Sequence, residues 1–447
     1  MEELNKSIVE LLNEKKYIQI AKLVKDLNPA DAAIMIEEIP EDKMPIVFRL
    51  LSKELAADAF AYMNTEAQEL LIHAFSDKEL DDVVSQLFVD DTVDMIEEMP
   101  ANVVKRILRH VDNNIRKSIN EILNYPRDSA GSMMTVEYVD LKRNMTVEQA
   151  FDRIRKTGVD KETVYTCYVT DNRRKLEGVV TVRELLLAPK DEIVDNIMET
   201  NTISVNTHTD QELAARKLSK YDFLAIPVVD NEERLVGIVT VDDAIDVMVE
   251  ETTEDIEKMA AMTPSEGPYM KTGVIETWKQ RVPWLLVLMI SATFTSIIIS
   301  SFESALAAVV VLTSFIPMLM NSGGNAGSQT STSVIRAISL GEVGKGDIFK
   351  IIRKELMVAF VCGFTMAVAN FIKLIVFDQV GVMVALVVSI TLIGILLIAN
   401  TMGCCMPILA KKIGFDPAVM SSPFISTVVD SVSLLVYFNV AVLILNI

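Results

Sequence analysis

Two groups of carboxylates stand where an ordinary protein would not put them. One is Asp430, the only charge in the apolar run PFISTVVDSVSLLVYF. A bare carboxylate at mid-bilayer depth costs at least ~2.5–3.5 kcal/mol on insertion scales, so it must face water, an ion or a bonding partner. No membrane-embedded Arg or Lys is an obvious partner. The choice is between nearby hydroxyls, such as Thr427 and Ser431, and an ion in a wet cavity. The other group is DDAIDVMVEETTEDIE (242–257), eight acids without a base. On a helix Asp242/Asp246, Asp246/Glu250, Glu250/Glu254 and Glu251/Asp255 are like charges four residues apart, each costing roughly 0.2–0.5 kcal/mol. Oxygen ligands of this kind suit Mg2+ or Ca2+. Because Mg2+ keeps several of its waters, dispersed acids fit weak, millimolar sensing, and no EF-hand loop is present. The plain alternative is an acidic linker helix charged for solubility.

Placing Asp430 in a bilayer requires spans of about 20 apolar residues. Val282–Ser301 is uncharged and opens with Pro283 and Trp284, which suit a helix start at the interface. Ser304–Ile335 lacks charge, but only its first half is apolar; after Pro317 it reads NSGGNAGSQTSTS. Irregular polar backbone there would have to line water or be buried in protein. Gly323, Gly324 and Gly327 would allow close helix approach, while Asn325, Gln329 and the hydroxyls offer neutral oxygens; a small-residue packing surface is the other reading. Leu356–Ile372, Gln379–Ala410 and Pro417–Ile447 complete five spans. Arg336, Lys345, Lys350, Arg353 and Lys354 lie between spans two and three, and Lys411 and Lys412 between four and five. Positive loops stay inside, so the N-terminus is expected in the cytoplasm and Ile447 outside the cell membrane.

Of the chain's 42 basic and 62 acidic residues, 31 and 54 fall in 1–270, a net of −23 against +3 thereafter. Nucleic acid is excluded as a partner, because phosphate binding needs the opposite sign. Four scattered cysteines and three scattered histidines form neither a disulfide framework nor a zinc cage. The N-terminus MEELNKSIVELLNEKK has no basic n-region or apolar core of a signal peptide. No nucleophile–base pair or cofactor fingerprint suggests an enzyme.

Residues 1–128 read as short amphipathic helices. NPADAAIMIEEIP (28–40) and FVDDTVDMIEEMP (88–100) resemble each other, each opening on a capping-type Asn or Asp and ending at a Pro. That is the mark of an α-helical repeat stack. The pattern then changes: TVYTCYVTD and KLEGVVTVREL are echoed by DFLAIPVVD and RLVGIVTVDDA, each a strand, a glycine-containing turn (Gly178, Gly237), a strand and a helix start. The duplication resembles a tandem CBS pair. The family's ribose-contacting T-x-D is matched by Thr240 and Asp242, but not after Thr181, so the resemblance admits ATP at the second module.

Taken together, the parts resemble the MgtE family of Mg2+ channels. YPRDSAGSMMT (125–135), NSGGNAGSQTSTSVIRA (321–337) and FDPAVMSSPFISTVVDSVSLLVYF (415–438) look like its linker, second-span signature and pore helix. The expected fold is a multidomain membrane protein: an all-α superhelical N domain (1–128), α/β CBS domains (129–196 and 197–250), a connecting "plug" helix and linker (251–275) and a five-span α-helical bundle (276–447). The resemblance implies a homodimer with a pore between subunits, lined by Asn325, Gln329, Ser422 and Ser426, in which Asp430 holds hydrated Mg2+. It implies cytoplasmic Mg2+ ligands at Asp58, Asp90, Asp94, Asp222, Asp243, Asp246, Glu251, Glu254 and Asp255. Asp58 stands where the family usually has Glu, and Ser422 where an Asn often precedes the Pro. The function so implied is Mg2+ uptake, closed by cytosolic Mg2+, with Mn2+ or Co2+ as further cargo. An ion-coupled secondary transporter and a membrane-tethered nucleotide sensor are the alternatives. Inverted repeats would mark the first, and five unequal spans show none; the expense of Asp430 argues against the second.

Overall fold

The computed structural model describes residues 2–265, 269–270, 272–343, 346–420 and 422–446, and it divides into two units, Met1–Val249 and Glu250–Ile447. Lys345 and Ile447, used above for orientation, lie outside the described residues.

Among the described residues, the first unit opens with ten helices, α1 (Glu2–Asn13) to α10 (Asn113–Ile122). They are short because polar caps recur every dozen residues. Asn28, Ser52 and Asn64 side chains accept from backbone N–H groups one turn on, and Ser76 and Glu79 form a capping box. The buried faces meet around Phe48, Phe60 and Phe75, whose rings lie 5.2–6.2 Å apart. Both copies of the repeat are helical, as α3 (Pro29–Glu37) and α8 (Val89–Glu98), but their starts differ. Asn28 caps α3, whereas Phe88 precedes α8 without a side-chain cap, and Asp90 and Asp91 sit inside its first turn. There they face the helix's positive end instead of capping it.

Two three-stranded sheets follow with one topology. In the first, β1 (Asp140–Leu141) runs parallel to β2 (Thr166–Thr170), which pairs antiparallel with β3 (Leu176–Thr181). In the second, β4 (Val205–Asn206), β5 (Ala225–Val229) and β6 (Leu235–Thr240) repeat the order. Gly178 and Gly237 are not in the turns, as their sequence context suggested, but inside β3 and β6, opposite Val169 and Val228. Their role is close approach. A Cβ on Gly178 would lie 2.7 Å from Met198 Sδ, and one on Gly237 2.6 Å from Met134 Sδ. The turns themselves use Arg174 and Glu233 at φ 67° and 60°. Helices α11 (Val147–Thr157), α12 (Val182–Leu187), α13 (Val194–Ile197) and α14 (Gln211–Lys220) alternate with these strands, and from the second sheet the chain enters a 19-residue helix, α15 (Val241–Met259), which carries the acidic run across the boundary between the units.

Among the described residues of the second unit, four helices are long and apolar enough to cross a membrane: α16 (Val274–Ser301), α19 (Ile348–Val376), α20 (Val382–Ile413) and α21 (Ser422–Leu445). Helix α16 begins eight residues before the expected start at Val282, so Pro283 lies inside the helix instead of opening it. After α17 (Glu303–Ala308) and a 3-10 turn, α18 (Ile316–Ser339) starts with Pro317 in its first turn, where a missing N–H costs nothing. Asn321–Ser333 is therefore regular helix, not irregular backbone. Its polar content keeps α18 out of the membrane-crossing set, yet nine of its residues are buried, Gly323, Gly324 and Gly327 among them. Helix α18 packs against α20 and α21, while α16 packs on α21 and buries no residue.

Candidate ion-binding sites

The face of α18 that carries its glycines is a packing surface of the kind small residues allow. A Cβ on Gly323 would fall 2.7 Å from Ile395 of α20 and 3.0 Å from Ser433 of α21, and a Cβ on Gly403 would strike the Gly327 carbonyl. This closeness brings α18 to the carboxylate: Asp430 Oδ1 is 3.7 Å from where a Cβ on Gly324 would sit. The hydroxyls considered as partners are engaged elsewhere. Thr427 donates to Pro423 O at 2.9 Å and Ser431 to Thr427 O at 3.2 Å, so neither proton serves Asp430. One and two turns before Asp430, Ser426 and Ser422 form a ladder with Ser328 of α18. Ser422 Oγ donates to Ser328 Oγ at 2.7 Å, Ser328 and Ser426 hydroxyls are 3.2 Å apart, and Ser426 donates to Ser422 O. Ser328 was not singled out in the sequence, where it is one hydroxyl among many. Asn325 and Gln329 point away from this contact. Both are exposed, in line with Asn321, whose Oδ1 accepts from Asn325 Nδ2 at 3.2 Å.

A second assembly of acids lies in the first unit. Asp90 is 8% exposed, and burial, followed by Asp91, Asp243, Glu162 and Glu137, drives its carboxyl well above the usual range. Burial is the first cause for its neighbours as well. Asp91 and Asp243 are pushed up to about 6 and Glu162 to about 8, with each other and Asp242 as the repelling charges. Asp58 stands apart from these acids: it is exposed, and only partial desolvation and then Glu54 of its own helix raise it. Like charges this crowded bind protons or cations in place of water. Among the described residues no three His, Cys, Asp or Glu side chains converge tightly enough to hold a bare ion. Of the ligands expected here, Asp90 and Asp243 come together, and Asp246 adds its charge to Asp243. Asp94 and Asp222 are exposed, with Asp222 at φ 53°. Asp91, Glu137 and Glu162 join the patch unforeseen. Asp91 was legible beside Asp90, whereas Glu162, in a segment without a motif, gave no signal.

The Thr240 hydroxyl, expected to touch a nucleotide, donates to the Asp243 carboxylate at the start of α15, while Asp242 remains exposed. Further along α15, Glu254 is paired. Lys258 Nζ lies 2.6 Å from its Oε1 and 2.7 Å from Asp416 Oδ2. Lys258 is the next residue but none beyond the acidic run, directly after Glu257, so the run looked baseless only because it was cut there.

Comparison with known proteins agrees with this layout. The profile "Divalent cation transporter" (MgtE) matches residues 316–440, "MgtE intracellular N domain" 27–128, and "CBS domain" 130–191 and 194–250. The chain is 34% identical to the magnesium transporter MgtE of Thermus thermophilus, covering 100% of this chain and 99% of that one. It is 33% identical to that of Bacillus subtilis, over 98% and 97%. A solved cytosolic domain of the Mg2+ channel MgtE, in complex with ATP, is 34% identical with a TM-score of 0.52, covering 54% of this chain and 99% of that one. With a helical N domain, a CBS pair and an apolar helical half in the same order, and a relative matched end to end, the chain belongs to the MgtE family of magnesium transporters.

Proposed function

We propose that this protein conducts Mg2+ into the cell as a channel whose pathway passes Asp430, and that cytosolic Mg2+ closes it. The observation that supports this most is the packing of the glycine face of α18 on α21, which leaves Asp430 beside a hydroxyl ladder with both neighbouring hydroxyl protons spent on backbone. A carboxylate so placed holds an ion through its waters, firmly enough to select it and loosely enough to release it. The reading takes α18 as a fifth span enclosed by its neighbours, the N-terminus as cytoplasmic, and two chains as the working unit, with α18 and α21 lining the pathway between them. Mn2+ and Co2+, close to Mg2+ in oxygen-ligand preference, are further cargo.

Closing follows from charge. Without Mg2+ the acids around Asp90, Asp91, Asp243 and Glu162, and those along α15, repel one another. Mg2+ bound among them favours the compact state and shifts the population toward closure. Several weak sites suffice, since moving 1:99 to 99:1 takes about 5.5 kcal/mol of differential binding. An adenine nucleotide is assigned to the second CBS module, supported by the ATP-bound relative. Because Thr240 is engaged with Asp243, Asp242 is the side chain left for the ribose. Asp430→Ala in proteoliposomes is expected to abolish Mg2+ flux or alter its selectivity over Ca2+; wild-type Mg2+ flux would sink the pathway assignment.

A further inference from the structure

The run 242–257 holds eight acids and no base, yet α15 continues without a break to Met259. Its one basic residue, Lys258, is placed with care. The Lys258 side chain is 21% exposed and its Nζ sits between two carboxylates at hydrogen-bond distance, Glu254 one turn back and Asp416 at 158 residues' remove. Asp416 is itself fixed, because its second oxygen accepts from Ala418 N at 2.8 Å and caps the turn Pro417–Val419. That turn leads directly into α21, the helix of Asp430, and Met420 beyond it accepts from Ser331 of α18 at 3.3 Å. A second tie holds the same end of α15: Glu257 accepts from Ser265 N at 2.7 Å, and Thr263 N donates to Gln280 O of α16 at 3.0 Å.

We propose that Lys258 is a built-in counter-ion that latches the end of the plug helix to the segment feeding the pore helix, so that part of the closed arrangement forms without any divalent ion. The inference rests on the gating reading above and deepens it. Glu254 and Asp416 carry two negative charges, and an ammonium at 2.6 and 2.7 Å from them occupies the space a bridging cation would need. A covalently attached cation is present at every Mg2+ concentration. It therefore lowers the amount of Mg2+ that the remaining acids must bind before the pathway closes, and it sets the threshold of the sensor. Glu254 accordingly acts as the anchor of the latch and not as a free Mg2+ ligand.

The test uses the full-length protein in proteoliposomes, with Mg2+ influx followed while Mg2+ on the cytoplasmic side is varied from 0 to about 20 mM, the range weak carboxylate sites cover. Lys258→Met is expected to raise the half-closing Mg2+ concentration about fivefold, the scale of a partly exposed ion pair. Asp416→Asn should raise it similarly, and the double variant no further than either single one, because both remove the same contact. Lys258→Arg, which keeps charge and reach, should stay within about twofold of wild type. An unchanged threshold in Lys258→Met, with the wild type closing normally, overturns the latch. Additive single effects, or no rescue by Arg, overturn it too. A wild type that Mg2+ does not close overturns the gating reading, and the latch with it.

Discussion

Replacing Asp91 by Asn tests the electrostatics of the first unit directly. Asp91 lies in the first turn of α8 next to buried Asp90, with Asp243 the nearest repelling carboxylate in effect. Burial and those charges move its carboxyl from an ordinary 3.8 to about 6. At that value, ionising the group in place costs about 3 kcal/mol, which relaxation and water penetration cut to about 1–2 kcal/mol. Asn keeps the shape and can still accept a hydrogen bond, but removes the charge. In chelator at pH 8 the variant of the soluble half, residues 1–260, should therefore be more stable than wild type. At roughly 2–4 °C per kcal/mol for a segment of this size, melting should rise by about 2–8 °C. The direction depends on pH. A carboxyl whose folded value is raised favours the folded state while protonated, and this advantage is lost as pH climbs from about 4 through about 6. At pH 5, midway through that window, the variant's advantage should be about halved. Saturating Mg2+ should reverse the order, because the wild type gains a ligand oxygen that the variant lacks. Calorimetric or circular-dichroism melts at the two pH values, with and without Mg2+, give all four numbers. A variant less stable than wild type in chelator at pH 8, or equally stabilised at pH 5, would refute the account of a strained acidic patch.

Other consequences can be checked with less effort. Because Glu162 is held near 8 and Asp91 and Asp243 near 6, lowering the pH from 8 to 6 without Mg2+ should protect the first unit from proteolysis, and adding Mg2+ at pH 6 should add less than at pH 8. Protection that is the same at both pH values would count against proton and Mg2+ as alternative neutralisers. Gly403→Ala puts a Cβ onto the Gly327 carbonyl, which forces α18 and α20 apart. A loss of about 1–3 kcal/mol is expected from such overpacking, read as a lower melting temperature in detergent; an unchanged melt would show that the helices can separate freely. Neutralising Glu251, Glu254 and Asp255 together should leave flux running at high cytoplasmic Mg2+, and normal closure would speak against the plug helix as the gate.

Much of this protein is decided locally, and local features are what a sequence displays. The apolar stretches of the second half, the acid in PFISTVVDSVSLLVYF, the charge contrast between the halves and the duplicated strand pattern are all properties of contiguous residues. Periodicity and hydropathy depend on neighbours along the chain. The tertiary structure decided what depends on neighbours in space. Gly178 and Gly237 turned out to be strand residues crowded by Met198 and Met134, although glycine between two strands reads as a turn. Asn321–Ser333 became a regular helix because its glycines pack on α20 and α21, which satisfies the backbone that its composition alone left in question. Glu162 joined Asp91 and Asp243 across some 70 to 80 residues, and Lys258 found Asp416 across 158. Coulomb energy depends on distance through space and on burial, and neither quantity is written in the order of residues. The acids themselves were legible one by one in the chain; which of them share a field, and which is answered by a lysine, only the folded protein determines.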